Sequence, residues 1–133
     1  MIKELRISLK ELDVVHDEFE TNKPYESCGV LIGTINGNTA NLEKAIPITN
    51  IRRTNVSFEF DPIQLYNAWD HADKNGKEIV GIFHTHPSHT AFPSLWDRET
   101  MKNSPSVWLI AGIDGMMAYI LDDDIRSVKL DIK

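Results

Sequence analysis

The sequence predicts one α/β domain, residues 1–133, built on a mixed, largely antiparallel β-sheet with helices packed on it. Three observations predict this class. Helix signals mark two segments, several short apolar runs alternate with turn residues, and one run is apolar on both parities. A chain of 133 residues with 41% hydrophobic residues suffices for one core. Helices that alternate with strands along such a chain favour layered α/β packing.

The first element is a helix, and a hairpin follows it. Ser8 and Glu11 form an S-x-x-E capping pattern, and apolar residues then recur at helical spacing, so residues 9–21 are predicted to be helical. Two extended segments come next, separated by a turn at Asn36 and Gly37. Asn-Gly between extended segments is a strong hairpin signal.

The middle of the chain predicts a short strand and a second helix. Residues 56–60, VSFEF, alternate apolar and polar side chains as a half-buried strand does. Asp61 and Pro62 then supply an N-cap and a first-turn proline, so we expect a helix that extends to about Asn75. Gly76 ends that helix.

An interior strand is predicted at residues 78–86, EIVGIFHTH. Val80, Ile82 and the two histidines share one parity, whereas Phe83 lies on the other. Apolar residues on both faces indicate a strand that is covered on both sides. The histidines therefore replace Val and Ile at the end of a buried strand.

The last third predicts a short helix and three strands. Ser94 is a suitable N-cap for a helix that reaches about Asn103. Turn residues at Asp114 and Gly115, and an acidic turn further on, separate the strand segments. These segments are residues 107–113, 116–121 and 126–132.

Composition excludes several classes of protein. The net charge of −6 and the pI of about 5.3 disfavour a nucleic-acid partner. We expect no membrane span, because every apolar run falls short of the roughly 20 residues that a bilayer requires. The N-terminal residues lack the pattern of a signal peptide, which favours the cytoplasm. Cys28 is the single cysteine, which excludes an internal disulfide and a thiolate-rich zinc site; we interpret it as a small buried residue.

His84 and His86 form the first candidate ligand pair. Residues at i and i+2 of a strand point to the same side, so their ring nitrogens can hold one ion. Asp97 lies in the first turn of the next predicted helix, within chain reach of the strand end. Two imidazoles and a carboxylate suit Zn²⁺ and leave a fourth position for water, as in catalytic sites. The other histidines, His16, His71 and His89, have no partner at comparable spacing.

Ser94 has two interpretations at this level. Its hydroxyl can donate to a developing oxyanion, or it can serve simply as the N-cap of the helix. Other metal motifs are excluded directly: the sequence contains no H-E-x-x-H, and one cysteine cannot form the cysteine pair of nucleoside deaminases.

Residues 84–97, HTHPSHTAFPSLWD, resemble the H-x-H-P-(x)n-S-x-x-D signature of the JAMM (MPN+) metalloproteases. Upstream, YESCGVLIG places Glu26 just before an apolar strand, where the family has a glutamate. By burial statistics alone Glu26 would be an exposed strand-edge residue. The resemblance implies a minimal, stand-alone member of prokaryotic or archaeal type with the MPN/JAB fold, an α/β/α arrangement similar to that of cytidine deaminases.

The resemblance also implies a site and an activity. His84, His86 and Asp97 would bind one Zn²⁺ per chain, Glu26 would be general base and acid, and Ser94 would stabilise the oxyanion. The implied activity is hydrolysis of the amide bond after the C-terminal tail of a ubiquitin-like modifier or sulfur carrier, whose tail would bind alongside an exposed strand edge. The identity of the modifier, the choice between isopeptide and linear bonds, and the choice between monomer and homodimer stay open.

Three rival functions remain. A non-catalytic MPN interaction module has the same fold but lacks metal ligands, and the complete set of five residues argues against it. A RadC-like, DNA-associated protein has a similar histidine segment, but the acidic balance argues against DNA. A cell-wall or phage-tail peptidase would require export or a second catalytic domain.

Overall fold

The computed structural model describes residues 1–104 and 106–133. It contains seven strands and three helices among these residues. In chain order they are β1 (Glu4–Ile7), α1 (Leu9–Thr21), β2 (Cys28–Asn36), β3 (Thr39–Ile48), α2 (Pro62–Lys74), β4 (Glu78–Thr85), α3 (Leu95–Met101), β5 (Val107–Gly112), β6 (Gly115–Asp122) and β7 (Asp124–Ile132). The mixed α/β class predicted from the sequence is confirmed.

The seven strands form a closed barrel in the order β1-β3-β2-β4-β5-β6-β7. β1 closes it by pairing in parallel with both β3 and β7. β4 pairs in parallel with β5, and the remaining neighbours are antiparallel. Each of the seven strands therefore has a partner on both sides. The pairing with β1 covers only Thr39–Asn41 of β3, and β3 from Leu42 to Ile48 is registered with β2 alone. The strand edge that we expect the modifier tail to use therefore stays a prediction.

Both long helices begin at the predicted caps. Ser8 Oγ accepts a hydrogen bond from the Glu11 N–H at 3.3 Å. At the second helix, Asp61 Oδ1 accepts from the Ile63 N–H at 2.9 Å and the Gln64 N–H at 3.0 Å. These side chains satisfy amide groups that lack partners within the helix, which explains why the predicted helix starts are correct.

Two apolar clusters cover the strands from different sides. One contains the buried face of α1 together with Leu5, Leu31 and Phe83, and the other joins α2 and α3 to Ile82 and Trp108. β4 separates the two clusters and is buried over most of its length. The prediction of an interior strand covered on both sides is therefore confirmed.

Val80 lies on the opposite side from the one predicted. It packs in the α1 cluster with Phe83, whereas Ile82 packs in the other cluster. The β2–β4 register passes from Leu31↔Gly81 to Ile32↔Ile79, so Val80 is an extra residue on β4. An extra residue of this kind is a β-bulge, and it reverses the facing of the side chains before it.

The strand predicted at residues 56–60 is wrong. Residues 51–59 are irregular, and one isolated bridge joins Asn50 to Phe60. Side chains bind part of the backbone of this segment in place of a strand partner: the Ser57 N–H donates to Thr54 Oγ1, and the Glu59 N–H donates to Asn50 Oδ1. Although the segment is not a strand, its apolar residue Phe58 is buried.

Candidate metal centre

The end of β4 and the start of α3 bring His84, His86 and Asp97 together. His84 Nε2 lies 3.1 Å from His86 Nε2 and 3.0 Å from Asp97 Oδ1, and His86 Nε2 lies 2.9 Å from Asp97 Oδ2. One candidate ligand atom from each residue lies within 4.8 Å of the others. All three side chains are buried.

These residues fit a divalent metal ion. Asp97 Oδ1 is buried and accepts no hydrogen bond from the residues that the structure describes, although His84 Nε2 is close to it. The two atoms are therefore oriented towards a shared point rather than towards each other. Two imidazole nitrogens and one carboxylate oxygen around such a point are a zinc-type ligand set with a fourth position free.

The chain fixes the orientation of His86 through its neighbouring loop. His86 Nδ1 lies 2.7 Å from the Thr90 carbonyl oxygen, to which a protonated Nδ1 donates. The same peptide group is held from the β5–β6 turn, because its Ala91 N–H donates to Asp114 Oδ1 at 2.8 Å. With Nδ1 used as a donor, the lone pair of Nε2 is available to a metal.

Ser94 is the N-cap of α3. The Asp97 N–H donates to Ser94 Oγ at 3.1 Å, and the Ser94 N–H donates to Asp97 Oδ2 at 2.9 Å, which is a reciprocal capping box. The cap holds the Asp97 carboxylate towards the histidines. Because Ser94 Oγ accepts in this bond, its own hydrogen remains available to donate. The structural and catalytic interpretations of Ser94 are therefore compatible.

Glu26 lies just before β2 and is buried, being only 4% exposed. The general burial rule, which predicts an exposed glutamate, is wrong for this residue. Its Oε1 makes no hydrogen bond with the described part of the chain. Glu26 lines a cleft of about 200 Å³ together with His86 and Ser94. A carboxylate that is buried without a partner beside a metal-type ligand set is available for proton transfer.

The chain matches a family model described as prokaryotic homologues of the JAB domain over residues 9–128. The chain belongs to this family. It is similar to a desampylase from Pyrococcus furiosus, with 36% identity over 111 residues that cover 81% of this chain and 76% of the relative. It is also similar to a probable TtuB-protein conjugate cleaving protease from Thermus thermophilus, with 30% identity that covers 62% of this chain and 55% of that protein.

A solved structure shows the same fold. The solution structure of a protein from Desulfitobacterium hafniense superposes with a TM-score of 0.88 at 23% identity, and the match covers 97% of this chain and 92% of that one. As a member of the JAB-domain family with peptidases among its relatives, this chain is a JAMM-type peptidase. None of the helices in the described residues is long and apolar enough to cross a membrane.

Burial and charge set the protonation states in this JAB-domain site. Burial raises the pKa of Glu26 to about 8; the nearby His86 opposes the rise, and Asp97 adds to it. Burial lowers the pKa of His84. Burial alone would raise the pKa of Asp97, but the contacts with His84 and His86 outweigh it and hold that pKa well below its ordinary value. Asp97 is therefore ionised and His84 neutral, which are the forms that bind metal.

Aromatic residues surround His84, and sequence reasoning missed them. The ring of Phe58 lies 4.9 Å from that of His84, and the ring of Trp108 lies 5.4 Å away. Trp96 packs against Phe58 at 5.0 Å. The only signal available in advance was the position of Trp96 beside Asp97. These rings exclude water from one side of the site, which strengthens electrostatic interactions inside it.

The cleft wall also contains residues that no motif singled out. Asn55 and Val56 from the irregular segment, with Phe92 from the loop between β4 and α3, line the same cleft as His86. His89 lines the mouth of the cleft with an exposed side chain, and His16 and His71 are exposed on helices. Cys28 is buried, its Sγ donates to the Ile48 carbonyl at 3.3 Å, and burial raises its pKa to about 12.

Proposed function

We propose that this chain, as one metalloprotease domain, hydrolyses the amide bond after the C-terminal tail of a ubiquitin-like modifier or sulfur carrier. The observation that best supports this proposal is the cleft that the buried carboxylate of Glu26 lines together with His86 and Ser94. The names of the relatives, a desampylase and a conjugate-cleaving protease, support a modifier conjugate as the substrate class. We place the reaction in the cytoplasm, with no membrane or nucleic-acid partner.

The metal that best suits the site is zinc, one ion per chain, held by His84, His86 and Asp97. The two imidazoles and the carboxylate match its ligand preference. When bound, zinc would supply Lewis acidity, lowering the pKa of a water molecule to about 7 and polarising the scissile carbonyl.

Glu26 and Ser94 divide the proton transfer and the charge stabilisation. Glu26 accepts a proton from the attacking water as the new C–O bond forms, and it returns that proton to the amine nitrogen as the C–N bond breaks. The hydroxyl of Ser94 donates to the oxygen that becomes negative in between. Protons therefore balance within the cleft, and one carboxylate serves as base and then as acid.

The modifier tail would lie against residues 51–59, because Asn55 and Val56 of this segment line the same cleft as Glu26 and His86. The segment is short, which favours a small modifier with an extended tail as the substrate. It disfavours selectivity for one polyubiquitin linkage.

The test is to incubate the zinc-loaded protein with C-terminal fusions of each ubiquitin-like protein of its organism. We expect mass spectrometry to show release of at least one modifier at its native C-terminus, and no release after treatment with a chelator. If every fusion survives while zinc occupancy is complete, the proposed substrate class is wrong.

The RadC-like alternative is tested by binding to duplex DNA at low salt. Contacts with phosphates strengthen as salt falls, so a DNA-associated protein should bind under these conditions. We expect no binding from a chain of net charge −6. Saturable binding that weakens with added salt would instead support the alternative.

A further inference from the structure

Asn50 lies two residues beyond the end of β3 and makes four hydrogen bonds through its side-chain amide. Its Nδ2 donates to the Glu26 carbonyl at 3.0 Å and to the Ser57 carbonyl at 3.2 Å. Its Oδ1 accepts from the Arg52 N–H at 3.0 Å and from the Glu59 N–H at 3.0 Å. An amide side chain offers two donors and two acceptor lone pairs, so Asn50 uses its whole hydrogen-bonding capacity.

These bonds join two parts of the proposed active site. One partner is the backbone of Glu26, and the other three lie in residues 51–59. A second bond reinforces the junction, because the Glu26 N–H donates to the Thr54 carbonyl at 2.8 Å. The backbone of Glu26 is thus held at its carbonyl by Asn50 and at its amide by the segment that Asn50 organises.

The same segment forms the substrate side of the cleft. Asn55 and Val56 line the cleft with Glu26, and Phe58 packs its ring 4.9 Å from the ring of His84. Residues 51–59 have no regular secondary structure, so the few hydrogen bonds that hold them matter, and three of these come from the Asn50 side chain. Loss of the Asn50 amide would therefore free the cleft wall and the base together.

We propose that Asn50 is a positioning residue that fixes the Glu26 backbone and the substrate-facing segment in one geometry. The proposal rests on the function proposed above for its kinetic consequence, because Asn50 acts through Glu26. A displacement of about 1 Å at a reacting group can reduce the rate by about 100-fold. A side chain that holds the base and the substrate wall at once should therefore affect both kcat and KM.

The chain offers a matched control for an Asn50 variant. Gln64 anchors the neighbouring residue Thr49 in the same way, since its Oε1 accepts from the Thr49 N–H at 2.8 Å and its Nε2 donates to Thr49 Oγ1 at 3.0 Å. Asn50→Asp and Gln64→Glu both exchange an amide for a carboxylate, and both keep the acceptor oxygen while losing the donors. Only Asn50 donates to Glu26.

The kinetic experiment compares Asn50→Asp with Gln64→Glu on a modifier fusion that the wild type cleaves. For Asn50→Asp we expect kcat to fall about 10- to 100-fold and KM to rise, with one zinc per chain retained. For Gln64→Glu we expect both constants to stay within about twofold of wild type. Equal losses in the two variants, or wild-type kcat in Asn50→Asp, would overturn the proposal. If Asn50→Asp loses zinc and folding, Asn50→Ser removes the amide without adding charge. It must then show the same fall in kcat and rise in KM relative to Gln64→Glu.

Hydrogen exchange tests the coupling without turnover. In the Asn50 variant the amides of Glu26 and of residues 51–59 should exchange faster, whereas those of β4 should keep wild-type protection. Unchanged exchange at Glu26 would contradict the proposal. If the wild type cleaves none of the fusions, the proposed function fails, and this measurement still decides the role of Asn50.

Discussion

Glu26 shows how one residue can be poised by its surroundings alone. Burial raises its pKa to about 8, and Oε1 has no hydrogen-bond partner in the described chain. Without a metal the carboxyl therefore holds its proton through neutral pH. A cation in the cleft favours the ionised form, so metal binding and the readiness of the base are linked.

The raised pKa of Glu26 predicts a pH-dependent stability difference in the metal-free protein. In the unfolded chain Glu26 ionises near pH 4.5, whereas in the folded chain it does so near pH 8. Between these values the folded state binds more protons, so the wild type loses stability as pH rises through this window and levels off above about pH 8. Glu26→Gln is always neutral and avoids this loss.

Urea unfolding of both proteins at pH 4.5 and pH 8.5 measures this difference. We expect Glu26→Gln to match the wild type at the lower pH and to exceed its free energy of unfolding at the higher pH, by at most a few kcal/mol. A constant difference at both pH values would show that the folded-state pKa of Glu26 is not raised.

At the scale of elements, the β5–β6 turn supports the candidate ligand His86 indirectly, through the loop between β4 and α3. Asp114 accepts from the Ala91 N–H, and the Ile113 N–H donates to the His89 carbonyl at 2.8 Å. A Cβ added at Gly112 would lie 2.3 Å from the Ala91 nitrogen. The turn and the loop between β4 and α3 are thus packed backbone to backbone, and only glycine fits at that contact.

This packing predicts that Asp114→Ala weakens zinc binding. The substitution frees the peptide whose carbonyl accepts from His86 Nδ1, and loss of such outer contacts costs about 10- to 100-fold in metal affinity. Asp114→Asn keeps an acceptor oxygen and should stay close to wild type. Competition with a zinc chelator measures the zinc affinity of all three proteins. Equal affinities of Asp114→Ala and wild type would exclude this supporting role.

The predictable elements are those whose signals are local. The Ser8 and Asp61 caps lie next to their helices, and the i, i+2 spacing of the histidines needs only the strand they end. The Val80 bulge depends on the register with β2, which is distant in sequence. The conformation of residues 51–59 depends on the Asn50 side chain and on the distant Glu26 backbone, so the alternation of side chains misassigned both. Glu26 became a candidate through resemblance alone, because its burial results from tertiary packing.

At the scale of the whole molecule, β1 closes the barrel. Its four residues pair in parallel with β3 and β7, both distant along the chain. Its residues alternate polar and apolar side chains, which is a strand pattern, but we predicted no element there. Leu5 and Ile7 of this strand are fully buried in the cluster that packs on α1, so closure and core formation depend on the same side chains.

The closing strand predicts different outcomes for two neighbouring leucines. Leu5 is 0% exposed and Leu9 is 62% exposed. We expect Leu5→Ala to lower the free energy of unfolding by about 2–5 kcal/mol, because it leaves a cavity in the core. Leu9→Ala should change it by less than about 0.5 kcal/mol. Urea unfolding provides the comparison, and similar losses for both variants would mean that β1 does not contribute to the core as described.

The central claim is that His84, His86, Asp97 and Glu26 act as one site for amide hydrolysis. The most direct measurement is to titrate zinc into the metal-free protein and follow both zinc binding and cleavage of a modifier fusion. We predict cleavage that rises in proportion to bound zinc and saturates at one ion per chain. We also predict that Glu26→Gln binds zinc equally well but cleaves about 10²- to 10⁴-fold more slowly. Full cleavage without zinc, or undiminished cleavage by Glu26→Gln, would contradict the claim.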